Sequence, residues 1–313
     1  MSAYRVVEVE ELVHDYAGHP ALRGVGFDVR DGEIFGLLGP NGGGKTTLFR
    51  ILSTILQPSG GVARIMGHDV VREPHAVRER IGVVFQSPAV DRKLTVRENL
   101  TIHGRLYGLN GATLRDAIDR MLRTVGLEGR AGERAETLSG GLLRRVEIAK
   151  GLLHKPPLLL LDEPSTGLDP AARNDLWDHL DRLRSNDGVT VLMTTHLMEE
   201  AERCDRIGIL HEGRLVALGT PHDLKGEIGG DVIVIATPSP DGLCGDLERR
   251  FGWSAAVVDG TVRVERPQGH EWIPRIVEAF RDRIEAISLG RPTLLDVFIH
   301  KTGHRFWGGG SKP

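Results

Sequence analysis

The stretch GPNGGGKTT, residues 39 to 47, has the composition and spacing of a loop that binds phosphate groups. It matches the pattern G-x-x-x-x-G-K-[ST] and lies between an apolar, strand-like run and a helical pattern. Glycines allow the backbone to wrap around phosphates, Lys45 can reach the β and γ phosphates, and the Thr46 hydroxyl can bind Mg²⁺. A simple glycine-rich turn is the alternative. The predicted nucleotide contacts in this loop are Gly39, Pro40, Asn41, Gly42, Gly43, Gly44, Lys45, Thr46 and Thr47.

Two adjacent carboxylates follow the apolar run LLLL, residues 158 to 161. A short apolar run between prolines predicts a parallel strand that is buried on both faces. Ligands of open α/β sheets bind at the carboxyl ends of such strands. Asp162 is therefore predicted to bind Mg²⁺, and Glu163 to orient and polarise the water that attacks the γ-phosphate. The alternative is a solvated strand end before a proline turn.

Three other side chains have the chemistry to complete such a site. His196 follows the apolar run VLMTT and can sense a γ-phosphate as a hydrogen-bond donor, although a lone histidine is more often structural. Gln86 ends the run IGVVFQ, and its amide can contact both Mg²⁺ and the attacking water; the alternative is a surface glutamine. Tyr16 can stack on an adenine ring, although a half-buried tyrosine is the default.

A second possible anion site lies in the stretch LSGGLLRR, residues 138 to 145. Ser139, Gly140 and Gly141 precede a helical pattern, and a helix start presents free N–H groups and the positive end of a dipole. An ordinary helix cap would explain the serine but not the two glycines. The sequence thus contains two phosphate-binding candidates about a hundred residues apart.

The chain alternates strand-like and helical patterns before its composition changes, which predicts an α/β domain followed by a smaller α+β unit. We place the first domain at residues 1–227, with a helical insertion at about 96–150. The second domain is placed at 228–302 and includes a hairpin turn at Asp259–Gly260. Residues 303–313 are predicted to form a flexible tail.

The bulk composition excludes several classes. The chain has 313 residues, a net charge of −3 and two cysteines without metal-ligand spacing, so neither a basic nucleic-acid surface nor a disulfide framework is indicated. The start lacks the apolar core of a signal peptide. No apolar run approaches the roughly 18 residues that span a bilayer. We therefore expect any membrane function to need a partner chain.

The order of these motifs resembles that of the nucleotide-binding subunit of ATP-binding-cassette (ABC) proteins, over residues 4 to about 224. The resemblance implies a P-loop NTPase cassette with a helical subdomain, ATPase activity, and ATP and Mg²⁺ as cofactors. It also implies a head-to-tail dimer, with a second copy or a homologous ATPase, in which each ATP lies between the phosphate loop of one chain and the signature helix of the other. By this resemblance the matching positions are Tyr16 (adenine stacking), Gln86 (Q-loop), Ser139, Gly140 and Gly141 (signature), Asp169 (D-loop) and His196 (switch histidine).

Other stretches resemble the ABC-2 exporters of the daunorubicin-resistance type. These are residues 87–100, 194–221 and 291–303, together with Leu142, which stands where most of the family has glutamine. Leucine cannot hydrogen-bond the sugar of the opposing nucleotide, so we do not expect that contact. The resemblance implies an integral membrane permease of the ABC-2 type as partner, a position at the cytoplasmic face of the cell membrane, and export of a drug or antibiotic.

Two other functions fit the sequence less well. A soluble ABC ATPase that acts on ribosomes or DNA usually carries two cassettes, a long coiled coil or zinc insertions, and the sequence has none of these. A P-loop kinase or GTPase would leave LSGG and His196 unexplained. For the C-terminal unit, a plain stabilising extension and a regulatory or dimer-supporting role remain equally open.

Overall fold

The computed structural model describes residues 4–303, so the predicted tail after Gly303 lies outside the described residues. The chain forms two compact units, and the division falls after Leu215. The boundary at residue 227 stays a prediction. The elements of the first unit are β1 (Arg5–Tyr16), β2 (His19–Arg30), β3 (Ile34–Leu38), α1 (Lys45–Leu52), β4 (Gly60–Ile65), β5 (His68–Asp69), α2 (Pro74–Arg78), β6 (Ile81–Val84), α3 (Val96–Leu106), α4 (Gly111–Thr124), α5 (Gly140–Leu152), β7 (Leu158–Asp162), α6 (Pro170–Asp187), β8 (Thr190–Thr195), α7 (Met198–Ala201) and β9 (Arg206–His211), with β10 (Arg214–Gly219) crossing the division.

A six-stranded sheet forms the centre of the first unit, in the order β10-β9-β3-β8-β7-β6. Neighbouring strands from β9 to β6 run parallel. Every residue of β3, β7 and β8 is buried, as expected for mostly apolar strands that are covered on both faces. The carboxyl ends of these strands therefore meet at one edge of the sheet.

A second, antiparallel sheet in the order β2-β1-β4-β5 packs with α1 against the parallel sheet. Their shared core includes Phe27 and Phe35, whose rings stack with centroids 5.2 Å apart. Side chains from β1, β2, β4 and α1 fill the rest of this core. Burial on this scale stabilises by roughly 25 cal/mol per Å² of apolar surface, and it fixes the start of α1 relative to β3.

The stretch predicted as a helical insertion contains α3, α4 and α5. Thr95 and Glu98 form a capping box at the start of α3, which satisfies two free N–H groups. Gly108, with φ 77°, separates α3 from α4. Apolar side chains of α4 at helical spacing are buried, including Leu114, Ile118 and Met121.

The second unit is an antiparallel sheet in the order β12-β13-β11-β14 with helices packed on it. The predicted hairpin turn is confirmed, because Asp259 (φ 53°) and Gly260 (φ 72°) connect β12 to β13 with the positive φ angles of such turns. Its elements are α8 (Pro221–Gly226), β11 (Asp231–Ala236), α9 (Pro240–Phe251), β12 (Ala256–Val258), β13 (Thr261–Arg266), α10 (Gly269–Ala279), β14 (Ala286–Gly290) and α11 (Leu294–Thr302).

Within residues 4–303, none of the helices combines the length and the apolar character that a membrane crossing requires.

Candidate functional site

Four parallel strands end at one edge of the central sheet, and the predicted site residues follow them. The phosphate loop follows β3, Gln86 comes two residues after β6, Glu163 follows β7 and His196 follows β8. These strands are adjacent, so the topology brings side chains together from positions far apart in sequence. A cavity of about 450 Å³ opens at this edge. Its lining consists of Ala21, Asn41, Gly42, Gly44, Lys45, Thr46, Thr47, Gln86, Glu163, Thr166 and His196.

Two glycines of the loop are required by its local geometry. Gly44 has φ 102° and caps α1, and a Cβ placed on it would lie 2.6 Å from the carbonyl oxygen of Ala21. A Cβ on Gly39 would lie 2.3 Å from the carbonyl oxygen of Leu210. Neither approach leaves room for a side chain, and the angle at Gly44 is one that L-residues rarely adopt. The loop is thus packed tightly from behind while its front faces the cavity.

Lys45 begins α1 and is only 4 % exposed. Its ammonium group donates to the carbonyl oxygens of Gly39 (2.8 Å) and Pro40 (3.0 Å), and lies 3.4 Å from Glu163 Oε1. Burial lowers the pKa of Lys45 because it penalises the charged form, and the Glu163 carboxylate acts in the opposite direction. A buried cation beside a glycine loop and a helix start attracts phosphate oxygens, so this lining fits a nucleotide phosphate chain.

The Glu163 carboxylate is the point on which the other polar side chains converge. Its Oε2 accepts from Gln86 Nε2 (3.2 Å) and from Thr166 Oγ1 (3.3 Å). His196 Nδ1 lies 3.1 Å from the same oxygen. Together with Lys45, these groups surround a carboxylate that is mostly buried. A carboxylate fixed in this way can accept a proton from water held in the cavity.

Strained backbone places the Glu163 side chain. Glu163 has φ 44°, a left-handed conformation that costs a non-glycine residue about 1–3 kcal/mol. Its N–H donates to both the carbonyl oxygen (3.2 Å) and the Oγ1 atom (3.0 Å) of Thr194 on β8. Strain held by a neighbouring strand is typical of functional sites, because it fixes the side chain in one direction.

Asp162 lies behind Glu163 rather than in the cavity lining. It is 3 % exposed, and its Oδ1 accepts a 2.6 Å hydrogen bond from Thr194 Oγ1. Burial raises the pKa of Asp162, and the Thr194 hydrogen bond opposes that shift. Within residues 4–303 no group of three or more His, Cys, Asp or Glu side chains could hold a metal by itself. Mg²⁺ is commonly held by one or two carboxylates with substrate phosphates, so Asp162 and the Thr46 hydroxyl fit that ion.

The signature residues do not line this cavity. Ser139 caps α5, and its Oγ accepts from the Leu142 N–H at 3.4 Å. A Cβ on Gly141 would lie 2.9 Å from Ala172 Cβ on α6, which gives that glycine a packing reason within the chain. At Gly140 the nearest atom to such a Cβ is 3.9 Å away. Packing therefore leaves Gly140 unexplained.

Two other predicted contacts also lie outside the lining. Asp169 caps α6, where its Oδ1 accepts from the Ala172 N–H at 2.9 Å. Tyr16, at the end of β1, is 42 % exposed and packs edge-on against His14 with ring centroids 4.5 Å apart. Both side chains are accessible to another molecule.

The segment around Gln86 is tied to α5. Arg144 Nη1 donates to the carbonyl oxygen of Phe85 (2.8 Å), and Glu147 Oε1 accepts from the N–H of Ala89 (2.7 Å). Arg144 and Glu147 also pair with each other at 2.9 Å, both almost fully buried. Burial lowers the pKa of Arg144 and raises that of Glu147. The helix that begins at Ser139 thus holds the Gln86 segment from both sides.

Sequence reasoning missed three residues of the site. Ala21 lies on β2 and lines the cavity without a polar side chain, so no local pattern could have identified it. Thr166 comes three residues after Glu163, a spacing at which a side chain can turn back on a loop. Thr194 supports both Asp162 and Glu163 from β8, and the polar end of an otherwise apolar strand was the available signal.

Comparisons with known proteins agree with this geometry. The family model described as "ABC transporter" matches residues 22–166. The chain is 40% identical over 310 residues to daunorubicin resistance ATP-binding protein DrrA3 of Streptomyces coeruleorubidus, covering 95% of this chain and 96% of that protein. It is 43% identical over 310 residues to Nod factor export ATP-binding protein I of Ralstonia nicotianae, covering 95% and 94%. The chain belongs to the ABC transporter family.

Solved structures confirm the predicted fold class of this ABC protein. CbiO1 from Clostridium perfringens, part of the ABC transporter complex cbiONQ, superimposes with a TM-score of 0.67 at 29% identity, covering 79% of this chain and 96% of that one. The cassette MJ0796, in a dimeric state bound to ADP and Pi, gives a TM-score of 0.62 at 28% identity, covering 68% and 98%. The chain is an ATP-binding subunit of an ABC transporter and an ATPase, and the relatives named for resistance and for export agree with the predicted exporter type.

Proposed function

We propose that this ATPase powers an exporter of the ABC-2 type as half of a head-to-tail dimer, with a second copy or a homologous ATPase. The observation that carries the proposal is the arrangement around the Glu163 carboxylate, which lies within 3.4 Å of Lys45, Gln86 and His196 inside one cavity. ATP hydrolysis needs a cation for the phosphates, a proton acceptor for water and a donor that responds to the γ-phosphate. This cavity holds one group for each task.

Each polar group has a role in this proposal. The N–H groups of the loop hold the phosphates, and Lys45 neutralises part of their charge. Glu163 accepts a proton from the attacking water, while Gln86 and His196 orient that water and the γ-phosphate. Mg²⁺, held by Thr46, Gln86 and Asp162, would offset further phosphate charge. The remaining loop contacts are Gly39, Pro40, Asn41, Gly42, Gly43, Gly44 and Thr47.

The dimer accounts for the second candidate anion site. Ser139 and Gly140 lie outside the cavity, at the exposed start of α5, where a partner's nucleotide can reach them. The Ser139 hydroxyl, the N–H groups of Gly140 and Gly141 and the helix dipole would contact its γ-phosphate. Tyr16 would stack on adenine, and Asp169 would face the partner beside the shared nucleotide. MJ0796, which shares this fold, is described as dimeric with ADP and Pi bound.

An exposed apolar surface on α3 supports a permease partner. Ile102, Leu106 and Tyr107, here called the α3 patch, are 50%, 78% and 38% exposed. Residues 87–100, one of the stretches that resemble ABC-2 exporters, include the start of this helix. Apolar side chains grouped on a surface mark contact sites for other proteins. We place an integral membrane permease of the ABC-2 type here, which would hold the ATPase at the cytoplasmic face of the membrane.

The cargo is proposed from the relatives. Two proteins that cover nearly the whole chain are named for daunorubicin resistance and for Nod factor export. We propose that this ATPase drives efflux of a drug or antibiotic, with cargo recognition in the permease.

The test is purification of the tagged chain from detergent-solubilised membranes, followed by mass spectrometry. We expect a polytopic permease to copurify, and Leu106→Asp to release it without reducing ATPase activity. Val257→Asp, an equally polar change at a 41% exposed site in the second unit, is the matched control and should retain the partner. Recovery of ribosomal or DNA-repair proteins instead of a membrane protein would contradict the proposal.

A further inference from the structure

A second cavity of about 430 Å³ lies in the first unit, away from the nucleotide site. It is lined by α4, by the ends of α5 and α6, and by the turns that lead into β7 and β8. This volume is within the range of small-molecule sites, about 300–1,000 Å³.

The two cavities lie at opposite edges of the same sheet. Pro157 and Val189, which line the second cavity, immediately precede β7 and β8. Glu163 and His196, which line the first, immediately follow the same strands. These strands have five and six residues, and a rise of about 3.3 Å per residue separates the cavities by roughly 16–20 Å. The second cavity is therefore not an extension of the nucleotide site.

One wall of the second cavity is apolar. Met121, Leu152, Leu183 and Val189 contribute to it from three helices and a turn, and each of these residues is at most 7% exposed. Such a wall can hold an aliphatic or aromatic body of a ligand without unpaired polar groups.

Two cationic side chains, Arg120 and Lys155, also line the second cavity. Arg120 Nε is buried and has no hydrogen-bond partner among residues 4–303. Neither Arg120 nor Lys155 forms an ion pair within residues 4–303, although Asp187 belongs to the same lining. A buried guanidinium donor without an acceptor is costly, so an acceptor supplied by a ligand would be favourable.

We propose that this cavity binds a small amphipathic molecule with a single carboxylate. The carboxylate would accept from Arg120 and lie near Lys155, and the apolar body would rest on Leu152 and Leu183. Helices α4, α5 and α6 all end beside the cavity, and Asp187 adds a negative charge. The carbonyl groups at the C-terminal ends of helices repel anions, as does Asp187. The attraction from Arg120 and Lys155 is therefore matched better by one negative charge than by the two charges of a phosphate.

Decanoate is a suitable probe, and calorimetry without nucleotide keeps the result independent of ATPase activity. We expect saturable binding of one decanoate per chain. Arg120→Gln should weaken it about tenfold through loss of a charge-assisted hydrogen bond. Arg123→Gln, on an exposed residue of the same helix outside the lining, is the matched control and should not change the affinity.

Three further measurements test the cavity, the charge of the ligand and its apolar body separately. Leu183→Trp should fill the cavity and abolish binding, with circular dichroism used to verify that the variant is folded. Neutral decanol should bind more weakly than decanoate, and acetate, which lacks an apolar body, should not bind measurably. Equal decanoate affinity in the Arg120→Gln and Arg123→Gln proteins, equal affinity for decanol, or the absence of saturable binding would overturn the proposal.

Discussion

His196 Nδ1 lies 3.1 Å from Glu163 Oε2, although the two residues are 33 positions apart in sequence (196 − 163) and follow different strands. The same carboxylate oxygen accepts from Gln86, and the other oxygen faces Lys45. A change in the charge of Glu163 would therefore alter the electrostatic interactions of the groups that would hold the phosphates and the attacking water.

Glu163→Gln should reduce ATP turnover at least a hundredfold, because the amide cannot accept the proton of the attacking water. Nucleotide contacts remain, so ATP should stay bound and hold two chains together as a dimer. Phosphate release and gel filtration in excess ATP measure both effects. Glu199→Gln, at an exposed residue, is the control and should behave as wild type. A monomer that persists in excess ATP would contradict this prediction.

Gly44→Ala should abolish nucleotide binding, because the new Cβ would lie 2.6 Å from the carbonyl oxygen of Ala21. Gly67→Ala is the matched control: Gly67 lies outside the cavity lining and also has a positive φ, 80°, but no atom lies within 4 Å of its Cβ position. That variant should be destabilised by only about 1–2 kcal/mol, the cost of a left-handed backbone for alanine, and should keep its nucleotide affinity. Thermal unfolding and fluorescent-nucleotide titration separate the two effects. Equal nucleotide affinities for both variants would show that the contact with Ala21 is unimportant.

Lys45→Ala and Ser139→Arg should each inactivate the protein alone and restore activity when mixed. In a head-to-tail heterodimer, one site would combine the intact phosphate loop of the Ser139→Arg chain with the intact signature of the Lys45→Ala chain. Random pairing of equal amounts would return about one quarter of the wild-type sites. Steady-state ATPase assays of the mixture measure this. Ser139→Ala, which loses mainly a helix cap, gauges the local cost; no recovery in the mixture would argue against shared sites.

Glu147→Ala should destabilise the fold by about 3 kcal/mol, because it leaves the Arg144 guanidinium buried without its carboxylate. The double variant Arg144→Met/Glu147→Leu removes both charges and should lose less. Urea unfolding of the single and double variants measures the difference. If the double variant is the less stable one, the penalty does not come from an unpaired buried charge.

Stability should fall as the pH decreases from about 6.5 to 4, in part because of His103. Burial, with smaller contributions from Lys150 and His154, lowers the pKa of His103 to about 4. Between these values the unfolded chain binds the proton and the folded chain does not, so acid favours unfolding. His103→Gln should reduce this loss by about 1–2 kcal/mol after allowance for partial exposure. Urea unfolding across this range measures it, with the exposed His75→Gln as control.

Local patterns predicted the parallel strands and the residues that follow them. The runs before Gly39, Glu163 and His196 are short and mostly apolar, and they form fully buried strands because such runs can be covered on both faces. Their convergence was predictable from the rule that parallel strands share one carboxyl edge. Glycine at position 44 was likewise identifiable from its loop pattern.

Contacts between distant elements were not predictable from local patterns. Nothing near Ala21 in sequence signals its place in the cavity lining. The support of Asp162 and Glu163 by Thr194 depends on the order of strands in the sheet, which local propensity does not encode. Composition also gave no sign that Arg144 and Glu147 would bury a charged pair, because charged residues on a helix are usually solvated.

The hydrogen bonds from α5 to the Gln86 segment determine which chain a movement would reach. Arg144 and Glu147 attach the Gln86 segment, which leads toward the proposed permease surface, to the helix whose first turn would contact the nucleotide of the opposite chain. Movement of that first turn would then reach the permease through this chain, although the ATP is held mainly by the other. Work would thus cross the dimer, and each ATP would drive the transmembrane half contacted by the chain that does not hold it.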